Sequence, residues 1–315
     1  MKIVPFVNSD WASDHPLGTI LFKHLLSGEP GSPDNFMYIL GRQDGDFSMP
    51  THRHNFEQIR LPLRGAMDHG RTGVLRENEI GYFPEGLAYG PQNDPLGNTP
   101  PGERMQLVLQ FGGASGYGFL DIERRRKARA ELTAIGEFKG PFYHWPDGRK
   151  DWALSAIWER AMGSRLRYPH PRYRHPIFIN PESFNWLALT GTNGVTHKFL
   201  GAFSERGVWI EMIRLESGAV WRSADPRGRR ILTVLEGEGT VKGQPVGYLG
   251  TLQVESDETV TIEATQAMEL FLVGLPPVEL PGKGIGPLRR GADAGRINRA
   301  PMSSIRSQLE PPETI

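Results

Sequence analysis

The chain has 315 residues, 38% hydrophobic and 23% charged, with a formal net charge of +0, an ordinary globular composition long enough for about two domains. Balanced charge gives nucleic acid or an anionic membrane no whole-chain footprint, and the absence of cysteine excludes disulfides, thiolate metal sites and a cysteine nucleophile. The N-terminus lacks an apolar signal core and no apolar run reaches membrane-spanning length, so a cytoplasmic protein without membrane or nucleic-acid partners is expected.

Gly (38 residues) and Pro (26 residues) favour many turns and short strands over long helices. An apolar run at Ile20–Leu26 ends in the loop Ser27–Pro33. From Phe36 to Phe111 the pattern predicts strands at Phe36–Leu40, Glu57–Leu63, Glu79–Phe83 and Met105–Phe111, separated by turns at Asp44-Gly45, Arg64-Gly65, His69-Gly70 and Pro84–Gly86. The Gly-rich segment Gly112–Gly118 interrupts them. A helix then starts at an Asp121 cap and ends at Gly136, and its Arg124–Lys127 run reads as a solvated face. A second helix is expected over Asp151–Ala161, followed by a Pro-punctuated connector, Tyr168–Pro176. Strands return at Phe184–Leu189, Val208–Leu215, Ile231–Leu235, Val260–Glu263 and Met268–Val273, and the chain beyond Pro276 reads as an extended tail.

The segment Gly45–Gly65, GDFSMPTHRHNFEQIRLPLRG, carries the chemistry. Side chains alternate across a strand, so His52 and His54 share a face and both imidazoles can reach one metal ion. Parity continues to Gln58 and Arg60 and puts Glu57 on the outer face; a bulge after His54 would bring Glu57 inward instead. The third metal group is therefore Gln58 or Glu57. Arg60 suits a carboxylate or enolate, although an internal salt bridge is the commoner use of such a residue. Gln106 and Gln110 share one face of the Met105–Phe111 strand. His69, at a turn, is expected to be exposed.

The spacing repeats. Gly218, Ala224, Pro226, Arg230 and Gly237 follow the pattern of Gly45, His52, His54, Gln58 and Gly65 with one residue's difference, which suggests two copies of one β-module. The first copy resembles the cupin superfamily. Its first motif is matched by Gly45–Gly65 with one extra residue before His52 and with Gln58 at the usual Glu. Its second is matched by Asn78–Tyr89, which keeps Pro84 and Gly86 and puts Tyr89 at the usual His. The resemblance spans about residues 36–111 and, more weakly, 184–275. It implies a mostly β protein: two cupin-like antiparallel β-barrels (a bicupin, of the jelly-roll or double-stranded β-helix type) joined by a helical connector. The expected units are an N-terminal barrel at 1–119, a helical and Pro-rich connector at 120–176, a degenerate barrel at 177–285 and a tail at 286–315.

A metal held by His52, His54 and Gln58 (or Glu57), with Arg60, Tyr89 and Gln106 as the catalytic set, would suit a dioxygenase acting on a small aromatic or enolisable acid. Fe(II) is the first choice of metal, with Mn, Ni or Zn as alternatives. The rival readings are a non-catalytic cupin that binds a small acid or sugar, and a metal-dependent isomerase or lyase. The second copy lacks the ligands, and no His follows His197. It would support the first barrel, build a homodimer face, or bind an anion through Arg229 or Arg230. His144, His170 and His175 suit packing in the connector, though one could roof the pocket.

Overall fold

A computed structural model describes residues 1–12, 19–140 and 142–278. The tail expected beyond 285 lies outside the described residues. The strands form where Val, Ile, Leu and aromatic residues alternate or run together, and each breaks at a glycine or proline turn. The strands Ile20–Ser27, Phe36–Gln43, Glu57–Arg64, Ile80–Phe83 and Arg104–Phe111 belong to one six-stranded sheet, completed by Ile177–Ile179. A seven-stranded sheet contains Val195–Phe203, Val208–Leu215, Arg229–Glu236, Thr251–Val254 and Met268–Leu275, with Lys2–Val4 at one edge and Leu187–Ala188 at the other. Smaller sheets accompany each. His52–Arg53 with Ala88–Tyr89, and Phe47–Met49 with Gln92–Asp94, serve the first half. A four-stranded sheet of Val220–Ala224, Thr259–Ala264, Gly239–Val241 and Gln244–Val246 serves the second.

The large sheets pack against each other through one core. Phe36, Tyr38, Leu40, Ile59 and Leu109 from the first meet Val208, Ile210, Ile231, Phe271 and Val273 from the second. Each such side chain, fully buried, contributes about 1.5–3 kcal/mol. Two edge strands cross over: Lys2–Val4 pairs with residues of the second half, Ile177–Ile179 with the first. Tyr38 Oη and Thr233 Oγ1 share a buried hydrogen bond of 2.7 Å across the layer. The described residues thus belong to one compact unit, Met1–Leu280.

The two interiors differ. The second is filled by Trp209, Ile213, Leu232, Val254, Ile262 and Leu270, all apolar. The first has a smaller apolar group, Met67, Leu75, Phe83 and Tyr89, and polar side chains beside it.

The helices are Ile122–Thr133, capped by Asp121, which accepts from the Arg124 amide, and Ala153–Met162, closed by Gly163 in the left-handed region. A strand, Lys150–Trp152, takes the first residues of the second expected helix. Phe184–Leu189 is also not one strand: a 3-10 turn occupies Pro181–Ser183 and only Leu187–Ala188 pairs. Among the described residues no helix is long and apolar enough to cross a membrane.

Candidate functional site

Glu57–Arg64 is the central strand of the first half. It pairs with Arg104–Phe111 on one side, where Gln58 faces Gln110 and Arg60 faces Val108, and with Ile80–Phe83 on the other, where Gln58 faces Phe83 and Arg60 faces Gly81. Gln58 and Arg60 therefore point into the first interior, and Glu57 points away from it, into the layer between the large sheets. Gly81 matters here. A Cβ at this position would stand 2.8 Å from the Phe83 ring, so its absence lets that ring lie beneath Arg60, 4.8 Å from the guanidinium carbon.

Arg60 is 9% exposed, and its hydrogen-bond partners are neutral. Nε and Nη2 donate to Gln58 Oε1 at 3.0 and 2.8 Å, Nη2 donates to Tyr89 Oη at 3.1 Å, and Nη1 reaches Gln92 Oε1 at 3.5 Å. Gln58 Nε2 also donates to Tyr89 Oη, at 3.3 Å. The nearest acid in this chain of contacts is Asp94, one step removed: Gln92 Nε2 donates to its Oδ2 at 2.5 Å. The expected internal salt bridge of Arg60 is not formed with any described residue. Its charge is instead spread over amide and phenol dipoles.

Around the Tyr89 ring stand three imidazoles. The centroid of His52 lies 4.6 Å away, His69 5.7 Å and His54 6.0 Å, and His52 and His54 are 4.9 Å apart. His52 and His54 are half-buried. The strand His52–Arg53 pairs with Ala88–Tyr89, which places Tyr89 directly opposite His52. His52 Nδ1 lies 2.9 Å from the Pro50 carbonyl, and its Nε2 is buried without a partner among the described residues. Burial lowers the pKa of all three, and the Arg60 charge lowers each further; for His54 the neighbouring His52 also contributes, and His69 falls to about 3. They are neutral bases at pH 7. Burial raises the Tyr89 phenol against the opposing pull of Arg60 and Gln58, so it is a neutral hydroxyl.

His69 corrects the expectation of an exposed turn residue. It is 0% exposed and packs edge-on against Phe83 and Tyr89, with both ring nitrogens unpartnered. The turn at Gly70–Thr72 packs closely on Pro91, where a Cβ on Gly70 would meet the Pro91 carbonyl at 2.9 Å, and the His69 ring lies among Phe83, Tyr89 and Phe178. A turn signal locates the backbone and says nothing about which way its flanking side chains face.

Of the remaining candidates, Gln110 stands across from Gln58. Gln106 lies four residues further along the strand, in a small cavity of about 20 Å³ lined also by Gln43, Gln92, Asp94 and Arg104. It is thus not gathered with the histidines. His170 and His175 are exposed, and His144 is half-buried in the strand Phe142–His144 of the connector. In the second half Arg229 pairs with Glu255, while Arg230 donates to the Ser223, Glu255 and Glu258 carbonyls. Arg230 Nε stays unpartnered among the described residues.

The side chains as placed do not gather into a divalent-metal group. Such an ion needs about three or more converging donors with free lone pairs. His52 Nε2, His54 and His69 each offer a free ring nitrogen. Gln58 Oε1 is already engaged by Arg60, as is Tyr89 Oη, and Glu57 faces the other way. Among the described residues no three His, Asp or Glu side chains gather as a metal-holding group. The buried Arg60 charge adds repulsion.

No protein-family model matches the chain. No curated relative matches it either. Solved structures do. A provisionally named dioxygenase from Nostoc punctiforme is similar over 83% of this chain and 75% of its own, with 12% identity and a TM-score of 0.51. A provisionally named glyoxylate-induced protein from Pseudomonas aeruginosa is similar over 87% of both chains, with 10% identity and a TM-score of 0.51. The fold is that of a bicupin. A bacterial pirin from Escherichia coli, in complex with nickel(II), is matched over 88% of this chain and 99% of its own, at 13% identity and a TM-score of 0.49. The two likenesses with a TM-score of 0.51 carry the architecture alone and leave the chemistry of this chain to its own residues.

Proposed function

We propose that this bicupin binds a small organic acid in its first barrel, with Arg60 holding the carboxylate. The observation behind this reading is a buried guanidinium whose partners among the described residues are all neutral. A buried cation without a counter-ion is costly, and an anionic ligand supplies the missing charge. Gln58, Tyr89 and Gln92 fix the orientation of Arg60, while neutral His52, His54 and His69 bring hydrogen-bonding capacity without competing charge. The apolar second barrel acts as support through the shared core.

The test is equilibrium binding of propanoate and related acids to untagged, chelator-treated protein, with Arg60→Gln and Arg60→Lys alongside. Saturable binding that is lost in Arg60→Gln and partly retained in Arg60→Lys supports the reading. Binding that survives Arg60→Gln unchanged sinks it.

A metal-dependent dioxygenase is the second reading. It is favoured by His52, whose Nδ1 is held by a carbonyl so that Nε2 is presented as a bare donor beside His54. The fold likeness to a provisionally named dioxygenase accords with it. It requires a third donor, from His69, Gln58 or Tyr89, to join the pair. Metal content of the untagged protein separates the two: stoichiometric metal bound through His52 and His54 favours the enzyme.

A further inference from the structure

We propose that the acid bound beside Arg60 carries a hydroxyl group, and that His52 Nε2 recognises that hydroxyl. The inference rests on the acid-binding reading above and names the class of acid: a small hydroxy-carboxylate.

The argument begins with tautomers. His52 Nδ1 is 2.9 Å from the Pro50 carbonyl, which can only accept, so Nδ1 carries the proton and Nε2 is a bare lone pair. That lone pair is buried and has no donor among the described residues. His69 is fully buried, and neither of its nitrogens has a partner; a neutral imidazole offers one donor and one acceptor. Both rings flank Tyr89, and the hydroxyl of that same ring accepts from Arg60 at 3.1 Å. The unpaired polar atoms and the uncompensated charge therefore surround one side chain.

A bare carboxylate answers only part of this arrangement. It neutralises Arg60 but brings acceptors alone, and acceptors repel the His52 lone pair. A hydroxyl on the acid donates to Nε2. One molecule then satisfies the charge and the His52 lone pair together. Size follows from the walls. Phe83 and Phe178 pack around His69 at ring-centroid distances of 5.0 and 6.1 Å, which favours a short chain.

The experiment compares propanoate with 2-hydroxypropanoate and 3-hydroxypropanoate, by calorimetry on chelator-treated full-length protein. The wild type is expected to bind at least one hydroxy acid about ten-fold or more tighter than propanoate, because a site built to pair a hydroxyl discriminates against its absence. His52→Ala should shrink that ratio to about three-fold or less while keeping weak propanoate binding. Equal affinities in the wild type overturn the inference and leave the acid-binding reading standing; failure of all three acids to bind overturns that reading itself. A readout that needs no variant is the 15N resonance of His52 Nε2. It should move on saturation with the preferred hydroxy acid and stay in place on saturation with propanoate. An unmoved resonance with the hydroxy acid also overturns the inference.

Discussion

At the scale of single residues, the interior of the first barrel is defined by groups that lack partners. A buried polar group left unpaired costs about 1–3 kcal/mol, and His69 has two such atoms. His69→Phe should therefore stabilise the apo-protein by about 1 kcal/mol in urea melts, since the ring joins Phe83, Tyr89 and Phe178, while it weakens acid binding. Glu57, on the opposite face of the same strand, is 0% exposed, and the Tyr82 hydroxyl beside it is too poorly aligned to count as a full hydrogen bond. Burial and then Glu85 raise its pKa from 4.5 to about 7, against the pull of Arg206 and Arg172. The sign follows. A raised native value gives stability that is complete below pH 4.5 and is lost as pH rises through about 7. Glu57→Gln lacks this loss, so its stability relative to wild type should grow between pH 5 and 7, by at most about 1.4 kcal/mol per pH unit. Denaturant melts at three pH values across that window measure it, and a constant difference would contradict the assignment. Strand parity was enough to place Gln58 and Arg60 on one face and Glu57 on the other. It could not show that Arg60 would be held by neutral dipoles, because hydrogen-bond partners such as Gln92 arrive from a distant strand.

At the scale of elements, the Glu57–Arg64 strand and the turn at Pro84–Gly86 place the site relative to the connector. Gly86 has φ +79, and a Cβ there would meet the Pro169 carbonyl at 2.0 Å. Arg172 reaches Glu85 at 2.7 Å, and the Arg53 guanidinium lies 4.1 Å from the Tyr168 ring centroid. The connector is thus strapped to the loop that follows the first barrel's motif. Gly86→Ala should destabilise by more than about 1 kcal/mol and make the 164–172 segment a preferred site of limited proteolysis. An unchanged digestion pattern would show that the strap does not depend on this contact. The strands themselves were readable from alternation and glycine spacing; Val208–Leu215 has the expected bounds. Short pairings such as His52–Arg53 with Ala88–Tyr89 were not, since two residues carry no periodicity and their pairing is fixed by the fold around them. His69 was expected to be exposed for a related reason: the rings that bury it, Phe83, Tyr89 and Phe178, come from distant parts of the sequence.

At the scale of the whole molecule, the two halves divide the work between a polar interior and an apolar one, joined by a common core. The Gly218–Gly237 repeat foretold this division, because Ala224 and Pro226 replace histidines and the remaining strand text is aliphatic. The Tyr38–Thr233 bond tests how closely the halves are coupled. Tyr38→Phe and Thr233→Val singly should each cost about 1–3 kcal/mol, and the double variant less than their sum, with a coupling of about 1 kcal/mol in a double-mutant cycle. Strict additivity would show that the bond contributes nothing across the layer. The central claim is that the first barrel is an anion site built on Arg60 and complete without a metal ion. Its most direct test is calorimetric titration of the chelator-treated protein with 3-hydroxypropanoate and 2-hydroxypropanoate, before and after one equivalent of Fe(II) is added anaerobically. The account predicts saturable one-to-one binding without metal, little changed by Fe(II) and lost in Arg60→Gln. Binding that appears only after Fe(II) is added would contradict it.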